Sequence, residues 1–380
     1  MNRQETDALL REYMDYLLEH SDAAHPFWNI EIIRQGIANK WNYIDGCMIS
    51  AVLSLYDYTG DRKYLDFADA FVGDFVQEDG SIRTYRTDEY NLDNINPAKN
   101  LFRLYDLTGK EKYRKALDLV RSQLDTMPRT GAGNFWHKEV YPNQVWLDGL
   151  YMAQPFYMEY ETRYRGMQGC LDCFRQFRNV EKLMRDDVTG LYYHGYDESR
   201  QMYWADPETG LSPNFWLRSI GWFTLGITDT AAAMDESMYY ERSFLIRMLG
   251  DLAESLLPFQ DPSGMFYQIV NRADDPRNYL ETSGTALIAA GMLRGVRLGF
   301  LPERYREIAE TAFYGITEKY LSRNEDGSPR LGGICLVAGL GGPDHRDGSL
   351  DYYFSEPIVE NDAKGVGPLY LAYTELLRTS

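Results

Sequence analysis

Two stretches of this chain copy one another. Leu55-Tyr56-Asp57-Tyr58-Thr59-Gly60-Asp61-Arg62-Lys63-Tyr64 and Leu104-Tyr105-Asp106-Leu107-Thr108-Gly109-Lys110-Glu111-Lys112-Tyr113 lie 49 residues apart and superimpose almost position for position. In each, the glycine suits the left-handed cap of a helix, and the final tyrosine opens the packing face of the next one. Weaker echoes run over 160–180, 233–256 and 298–316, and a second signal recurs at Asp79-Gly80, Thr189-Gly190-Leu191-Tyr192, Ser263-Gly264-Met265-Phe266 and Asp326-Gly327. Helix pairs recurring every roughly 50 to 60 residues mean a repeat architecture, here about six hairpins. An open solenoid needs polar repeats at its ends. The segment 366–377 is instead amphipathic and aromatic, as suits a helix that closes against the N-terminal ones. The prediction is all-α: one (α/α)6 toroid over residues 1–380, with its concave site at one mouth. Helical spacing also predicts helices over 6–19 and 30–38, and a turn at 40–46 entering a helix over 47–58.

Charge narrows the partners. The formal net charge is -18, which argues against nucleic acid and anionic membranes. An anionic substrate would need a local cluster of cations. No apolar run approaches membrane-spanning length, and the opening Met-Asn-Arg-Gln-Glu-Thr-Asp lacks the apolar core of a signal peptide. Four scattered cysteines, Cys47, Cys170, Cys173 and Cys335, do not make a disulfide scaffold. A reducing cytoplasm is the expected location. The five histidines are isolated from one another and from cysteine, so no metal and no cofactor is expected.

The densest stretch runs from Trp136 to Tyr160 and sets the carboxylate of Asp148 among large apolar side chains. Lost hydration makes a carboxyl hold its proton more tightly, which is how a general acid is made to work near neutral pH. The competing reading is a helix cap. If Asp148 stands at a helix N-terminus, the dipole opposes desolvation. Asp93, in Asn91-Leu92-Asp93-Asn94-Ile95-Asn96-Pro97, is a second candidate carboxylate or an Asx turn, and Lys99 can face the same mouth. His194 sits in an aromatic patch, Tyr192 to Tyr196. In Asn214-Phe215-Trp216-Leu217-Arg218-Ser219-Ile220-Gly221-Trp222, two tryptophans bracket Arg218. Arg218 can pair with a carboxylate in bidentate fashion and Trp216 can stack on a sugar, or both can form a packing seam. Glu281-Thr282-Ser283-Gly284 reads as a polar helix start, and Asp344 to Tyr353 as a loop rich in polar groups. Gly339-Leu340-Gly341-Gly342 lacks the strand-to-helix context of a phosphate site.

Together, Trp146-Leu147-Asp148-Gly149-Leu150-Tyr151-Met152-Ala153, His194, Trp216-Leu217-Arg218-Ser219-Ile220-Gly221-Trp222 and Asn361-Asp362-Ala363-Lys364-Gly365-Val366-Gly367-Pro368 resemble glycoside hydrolase family 105. Its members are the unsaturated rhamnogalacturonyl hydrolases, related to the unsaturated glucuronyl hydrolases of family 88. The likeness runs from about Trp41 to the C-terminus. It implies an (α/α)6 barrel and an oligosaccharide substrate ending in a 4,5-unsaturated uronic acid. It further implies proton addition at C4, water addition at C5 and collapse of the hemiketal. Under the resemblance Asp148 matches the general acid/base and Asp93 the second acid. His194, Arg218 and Trp216 match the uronate subsite, Trp41 and Tyr43 supply an aromatic wall, His137 a polar contact, and Trp222 is a further substrate-binding candidate. Unsaturated galacturonyl-rhamnose is the expected substrate, with glycosaminoglycan-type disaccharides the near alternative. A sugar epimerase using paired histidines (His194 with His137 or His345) and a non-catalytic sugar-binding scaffold are the readings from other classes.

Overall fold

The repeated motif builds one corner twice. The computed structural model describes residues 3–379. At the first corner Gly60 (φ 69°) ends one helix, its N–H donating to Tyr56 O at 2.8 Å; at the second, Gly109 (φ 67°) does the same to Tyr105 O at 2.8 Å. A Cβ would meet nothing within 4 Å at either position. Backbone conformation, not space, therefore calls for glycine. The threonine before each glycine donates to the carbonyl four residues back, Thr59 to Leu55 and Thr108 to Leu104. Tyr64 and Tyr113 are then buried at the start of the next helix.

Fourteen α-helices result among the described residues: α1 (Arg3–Glu19), α2 (Ile30–Gln35), α3 (Tyr43–Thr59), α4 (Arg62–Phe75), α5 (Lys99–Thr108), α6 (Glu111–Thr126), α7 (Leu147–Tyr164), α8 (Cys170–Met184), α9 (Leu217–Ala233), α10 (Tyr239–Leu256), α11 (Thr282–Arg297), α12 (Arg304–Tyr320), α13 (Leu350–Ser355) and α14 (Ala363–Thr379). Three two-stranded antiparallel ladders accompany them: β1 (Gln144–Trp146) with β2 (Gly195–Asp197), β3 (Leu321–Arg323) with β4 (Pro329–Leu331), and β5 (Ile334–Cys335) with β6 (Ile358–Val359). No helix among the described residues is long and apolar enough to cross a membrane.

Six helices form the inner ring. α7 packs on α9, α9 on α11, α11 on α14, α14 on α3 and α3 on α5. Phe102 of α5 meets Phe156 of α7 at 5.4 Å between ring centroids and completes the circle. α4, α6, α8, α10 and α12 each back the inner helix before them. α1 backs α14, where Tyr370 donates to Leu10 O at 2.6 Å. This is the (α/α)6 toroid the repeats predict, closed by the C-terminal helix. Two boundaries differ from expectation. α3 starts at Tyr43, because Asn42 caps it by accepting from Asp45 N. α2 stops at Gln35, where Gly36 takes the left-handed conformation. The Cys170–Cys173 pair is buried in α8 as free thiols.

The inner helices approach closely where they carry glycine. A Cβ on Gly46 would stand 2.7 Å from Pro97 Cα, and one on Gly367 2.9 Å from Cys47 O. At the C-terminal ends of the ring, charge takes over from small residues. Glu375, with a side chain 0% exposed, accepts from Arg294 Nε at 3.0 Å, Arg297 Nη2 at 3.0 Å and Arg378 Nη1 at 3.2 Å. Burial opposes its charge, but the Arg297 and Arg294 guanidiniums hold the carboxyl down at about 2. Removing one partner of a buried network leaves the others uncompensated, at about 3 kcal/mol or more. Glu375→Gln is therefore expected to lower unfolding stability by that order in urea titration. A change under about 0.5 kcal/mol would mean that the pairing does not hold α14 in the ring.

Candidate active site

Asp148 is positioned by strand pairing. β1 and β2 align Trp146 with Gly195, and the Leu147 N–H that opens α7 donates to His194 O at 3.1 Å. The second residue of the helix thus lands beside the residue that precedes β2. Asp148 Oδ2 and His194 Nε2 are 3.5 Å apart, and both atoms are buried without a hydrogen-bond partner. The capping reading of Asp148 is not realised: the N-cap is Trp146, and no side chain caps this helix. His194 Nδ1 lies 2.7 Å from the Tyr353 hydroxyl, and burial pushes that phenol well above its usual pKa. In the tautomer where Tyr353 donates to Nδ1, His194 presents an N–H from Nε2 to Asp148.

A second acid–histidine pair stands nearby. An antiparallel bridge between Asn91 and Lys138, with Leu92 N donating to His137 O at 3.1 Å, brings the two segments together. Asn91, not Asp93, makes the local cap, accepting from Asp93 N. The Asp93 carboxylate is left free to meet Lys138 Nζ at 2.6 Å and His137 Nε2 at 3.5 Å. Burial raises the Asp93 pKa, but Lys138 and His137 more than offset this, and the net shift is downward. Burial likewise opposes the Lys138 charge, and Asp93 more than restores it. Burial brings the His137 imidazole down to about 4, so it is neutral at physiological pH.

Trp146 separates the two pairs. Its ring stacks on His137 (4.4 Å, 17°) and on Tyr141 (4.8 Å, 21°), and meets His194 edge-on at 5.6 Å. Gly149, one residue beyond Asp148, leaves room for this arrangement. A Cβ there would come within 3.2 Å of His137 Nδ1 and 3.1 Å of Leu92 Cδ1. The epimerase reading needs two histidines facing one site. His137 and His194 instead lie against different sides of one indole, and His345 is exposed beside Tyr203.

The remaining candidates divide. Tyr43, at the start of α3, lines a 250 Å³ recess with Asp93 and Lys138. Trp216 meets His194 at 4.7 Å and Arg218 at 4.8 Å, but is 2% exposed. It is a packed wall of His194 rather than an open stacking platform. Arg218 corrects the expectation of a carboxylate partner. Its guanidinium donates to the carbonyls of Cys335 and Leu336 and to the Ser283 hydroxyl. Burial works against its charge, and Cys335, Glu281 and Tyr43 outweigh it, so its pKa is raised. Trp41 is 3% exposed, packs on Phe75 and donates from Nε1 to Asn94 O at 2.9 Å. It braces the Asp93 segment and is not an aromatic wall. Trp222 is 1% exposed, stacks on Tyr151 at 4.8 Å and meets Tyr43 edge-on at 6.4 Å. Lys99 lies on the far side of that plug. Its ammonium stands 3.3 Å from the Tyr151 centroid, in a 410 Å³ cavity at the opposite pole, and burial lowers it to about 8. Glu281 caps α11 as its sequence suggests, accepting from Ser283 N and Gly284 N. Lys138, Trp146 and Tyr353 enter as site residues on structural grounds. The His-Lys dipeptide was a visible signal for Lys138, whereas nothing local marks Tyr353. Among the described residues no three His, Cys, Asp or Glu side chains gather as a metal site requires.

The sequence pattern of Glycosyl Hydrolase Family 88 is matched over residues 10–380. Among solved structures, a family 105 glycoside hydrolase from C. acetobutylicum superimposes with a TM-score of 0.87 at 43% identity, covering 92% of this chain and 97% of that one. A 24.9 kDa protein in the picA locus of Rhizobium radiobacter is 39% identical over 233 residues, 60% of this chain and 98% of that protein. The unsaturated rhamnogalacturonyl hydrolase YesR of Bacillus subtilis is 28% identical over 266 residues, 68% of this chain and 72% of that protein.

The buried imidazole makes the site acid-sensitive. Between 6.5 and about 4 the unfolded chain binds a proton that folded His137 refuses, so stability falls as pH drops through that window. The lowered Asp93 pKa adds a further loss at more acidic pH, below about 3.8. Urea unfolding at pH 7 and pH 4.5 is expected to show a loss attributable to His137 on the order of 2 kcal/mol. His137→Gln should remove that part; an identical slope in the variant would place the proton elsewhere.

Proposed function

The chain belongs to Glycosyl Hydrolase Family 88, and from that premise we propose that it releases a terminal 4,5-unsaturated uronic acid from an oligosaccharide by hydrating the C4=C5 bond. It is a glycoside hydrolase; the double-bond chemistry and the residue roles are this proposal. One observation carries it. Asp148 Oδ2 is buried at the mouth without a hydrogen bond, 3.5 Å from an imidazole nitrogen equally without one. Such a pair is ready to exchange a proton with a bound substrate rather than with a fixed neighbour.

Asp148 hands a proton to C4, and the developing positive charge is shared by C5 and the ring oxygen. Water adds at C5, its proton returns to Asp148, and the resulting hemiketal opens. The acetal carbon then carries a hydroxyl and expels the leaving sugar. His194, fixed by Tyr353, orients the carboxyl. Asp93 is held as a carboxylate by Lys138, placing negative charge where substrate hydroxyls and the oxocarbenium-like centre need it. No bond at the anomeric carbon is attacked directly, so the carboxylate spacing that separates retaining from inverting enzymes has no bearing. An unsaturated galacturonyl-rhamnose is the substrate we favour. The family 105 relative at 43% identity and the relative named a rhamnogalacturonyl hydrolase support it. A reducing cytoplasm suits the four buried, free thiols.

Loss of enol-uronate ultraviolet absorbance on mixing with unsaturated rhamnogalacturonan disaccharide tests the reaction. Asp148→Asn is expected to lower the rate by about 10³-fold with an unchanged melting temperature. A variant that keeps near-parental turnover would remove Asp148 from the mechanism.

A further inference from the structure

The strap of residues 336–349 folds over the outer side of Trp146. Its Leu340 packs with Trp146 and Trp204, and Gly339 N donates to the Tyr352 hydroxyl at 2.9 Å. The glycines of this strap are shaped around one side chain. A Cβ on Gly339 would stand 2.7 Å from Arg346 Nη1, and one on Gly342 3.1 Å from Nη2. Arg346 Nε donates to Gly341 O at 2.8 Å and Nη2 to the Tyr141 hydroxyl at 2.7 Å. Nη1 makes no hydrogen bond, and no carboxylate among the described residues forms an ion pair with the guanidinium. Glu356, an acid within electrostatic reach of Arg346, makes no ion pair with it. In a chain with 57 acidic and 39 basic side chains, an arginine held in a glycine cradle yet without an ion-pair partner has its charge available to a ligand.

Its place tells what. Tyr141 stacks on Trp146, which lies between the two acid–histidine pairs. Arg346 is therefore joined to the Asp148–His194 pair through Tyr141 and Trp146, each in contact with the next. Lys138, whose ammonium is 6.0 Å from the Tyr141 centroid, adds positive potential beside the same ring. We infer that Arg346 forms an outer anion subsite for the carboxylate of a second uronic acid, beyond the leaving sugar, so that acidic oligosaccharides longer than a disaccharide are preferred. A planar carboxylate suits a guanidinium whose fork is already oriented. This inference rests on the reading of the site as an unsaturated uronyl hydrolase.

The test compares Arg346→Gln with the parent on an unsaturated disaccharide and on a tetrasaccharide carrying a second uronate. The expected result is an about tenfold fall in the tetrasaccharide-to-disaccharide ratio of kcat/KM. The fall should appear in KM rather than kcat, shrink in high salt, vanish when the second carboxylate is methyl-esterified, and be partly reversed in Arg346→Lys. An unchanged ratio, or an ester-independent fall, would overturn the subsite. Tetrasaccharide affinity measured calorimetrically in Asp148→Asn with and without Arg346→Gln decides the question even if the parent turns over no unsaturated uronide, an outcome that would end the hydrolase reading alone.

Discussion

The close approach of six inner helices is the constraint on which everything else in this molecule depends. Each must lie against two neighbours and an outer partner, so each is buried almost all round. Glycines at positions such as Gly46 and Gly367 let backbones come together where a methyl group would collide with Pro97 or with Cys47 O. Once the ring is closed, every inner helix points its N-terminus toward the same mouth. That shared direction brings Tyr43, Asp148, Arg218, Ser283 and Lys364, each near the start of a different inner helix, to one end. The loops that precede those helices then supply what the helices lack: Asp93, the 136–146 hairpin and His194.

Electrostatics divides along the same axis. At the mouth, charges are few and individually placed. Asp93 is balanced by Lys138, and Lys364 by Asp362 and Glu31. At the other end guanidiniums crowd around Glu375 and Asp229, where the carbonyl ends of six helices favour cations. A strongly acidic chain can thus present local positive charge without a basic surface, because single cations such as Lys138 at one end and Arg294 and Arg297 at the other are held in place by buried or half-buried carboxylates.

How much of this was legible beforehand depended on which physical signal each residue obeys. The duplicated Leu-Tyr-Asp-x-Thr-Gly corner reports backbone geometry directly, so the toroid and its closure by α14 could be read off. Asp148 stood out because a carboxylate flanked so closely by Trp146, Leu147, Leu150 and Tyr151 is unusual. The tryptophans misled. In a helix buried on every side, aromatic spacing does not distinguish a side chain facing the lumen from one wedged between neighbours, and Trp41 and Trp222 turned out to be the latter. Arg218 had no visible partner because its acceptors are the carbonyls of Cys335 and Leu336, over a hundred residues away. Tyr353 was hidden for the same reason. The start of α3 was placed late because Asn42 was taken as part of a turn when it is a cap.

The stack of Tyr43, Trp222, Tyr151 and the Lys99 ammonium has a consequence for how any polymer meets this molecule. Those four groups follow one another along the barrel axis and give the site a floor. A continuous chain therefore cannot thread from one pole to the other. On the proposed reading the sugar to be removed is a chain terminus, which such a floor suits, and the product must back out through the opening by which its parent came.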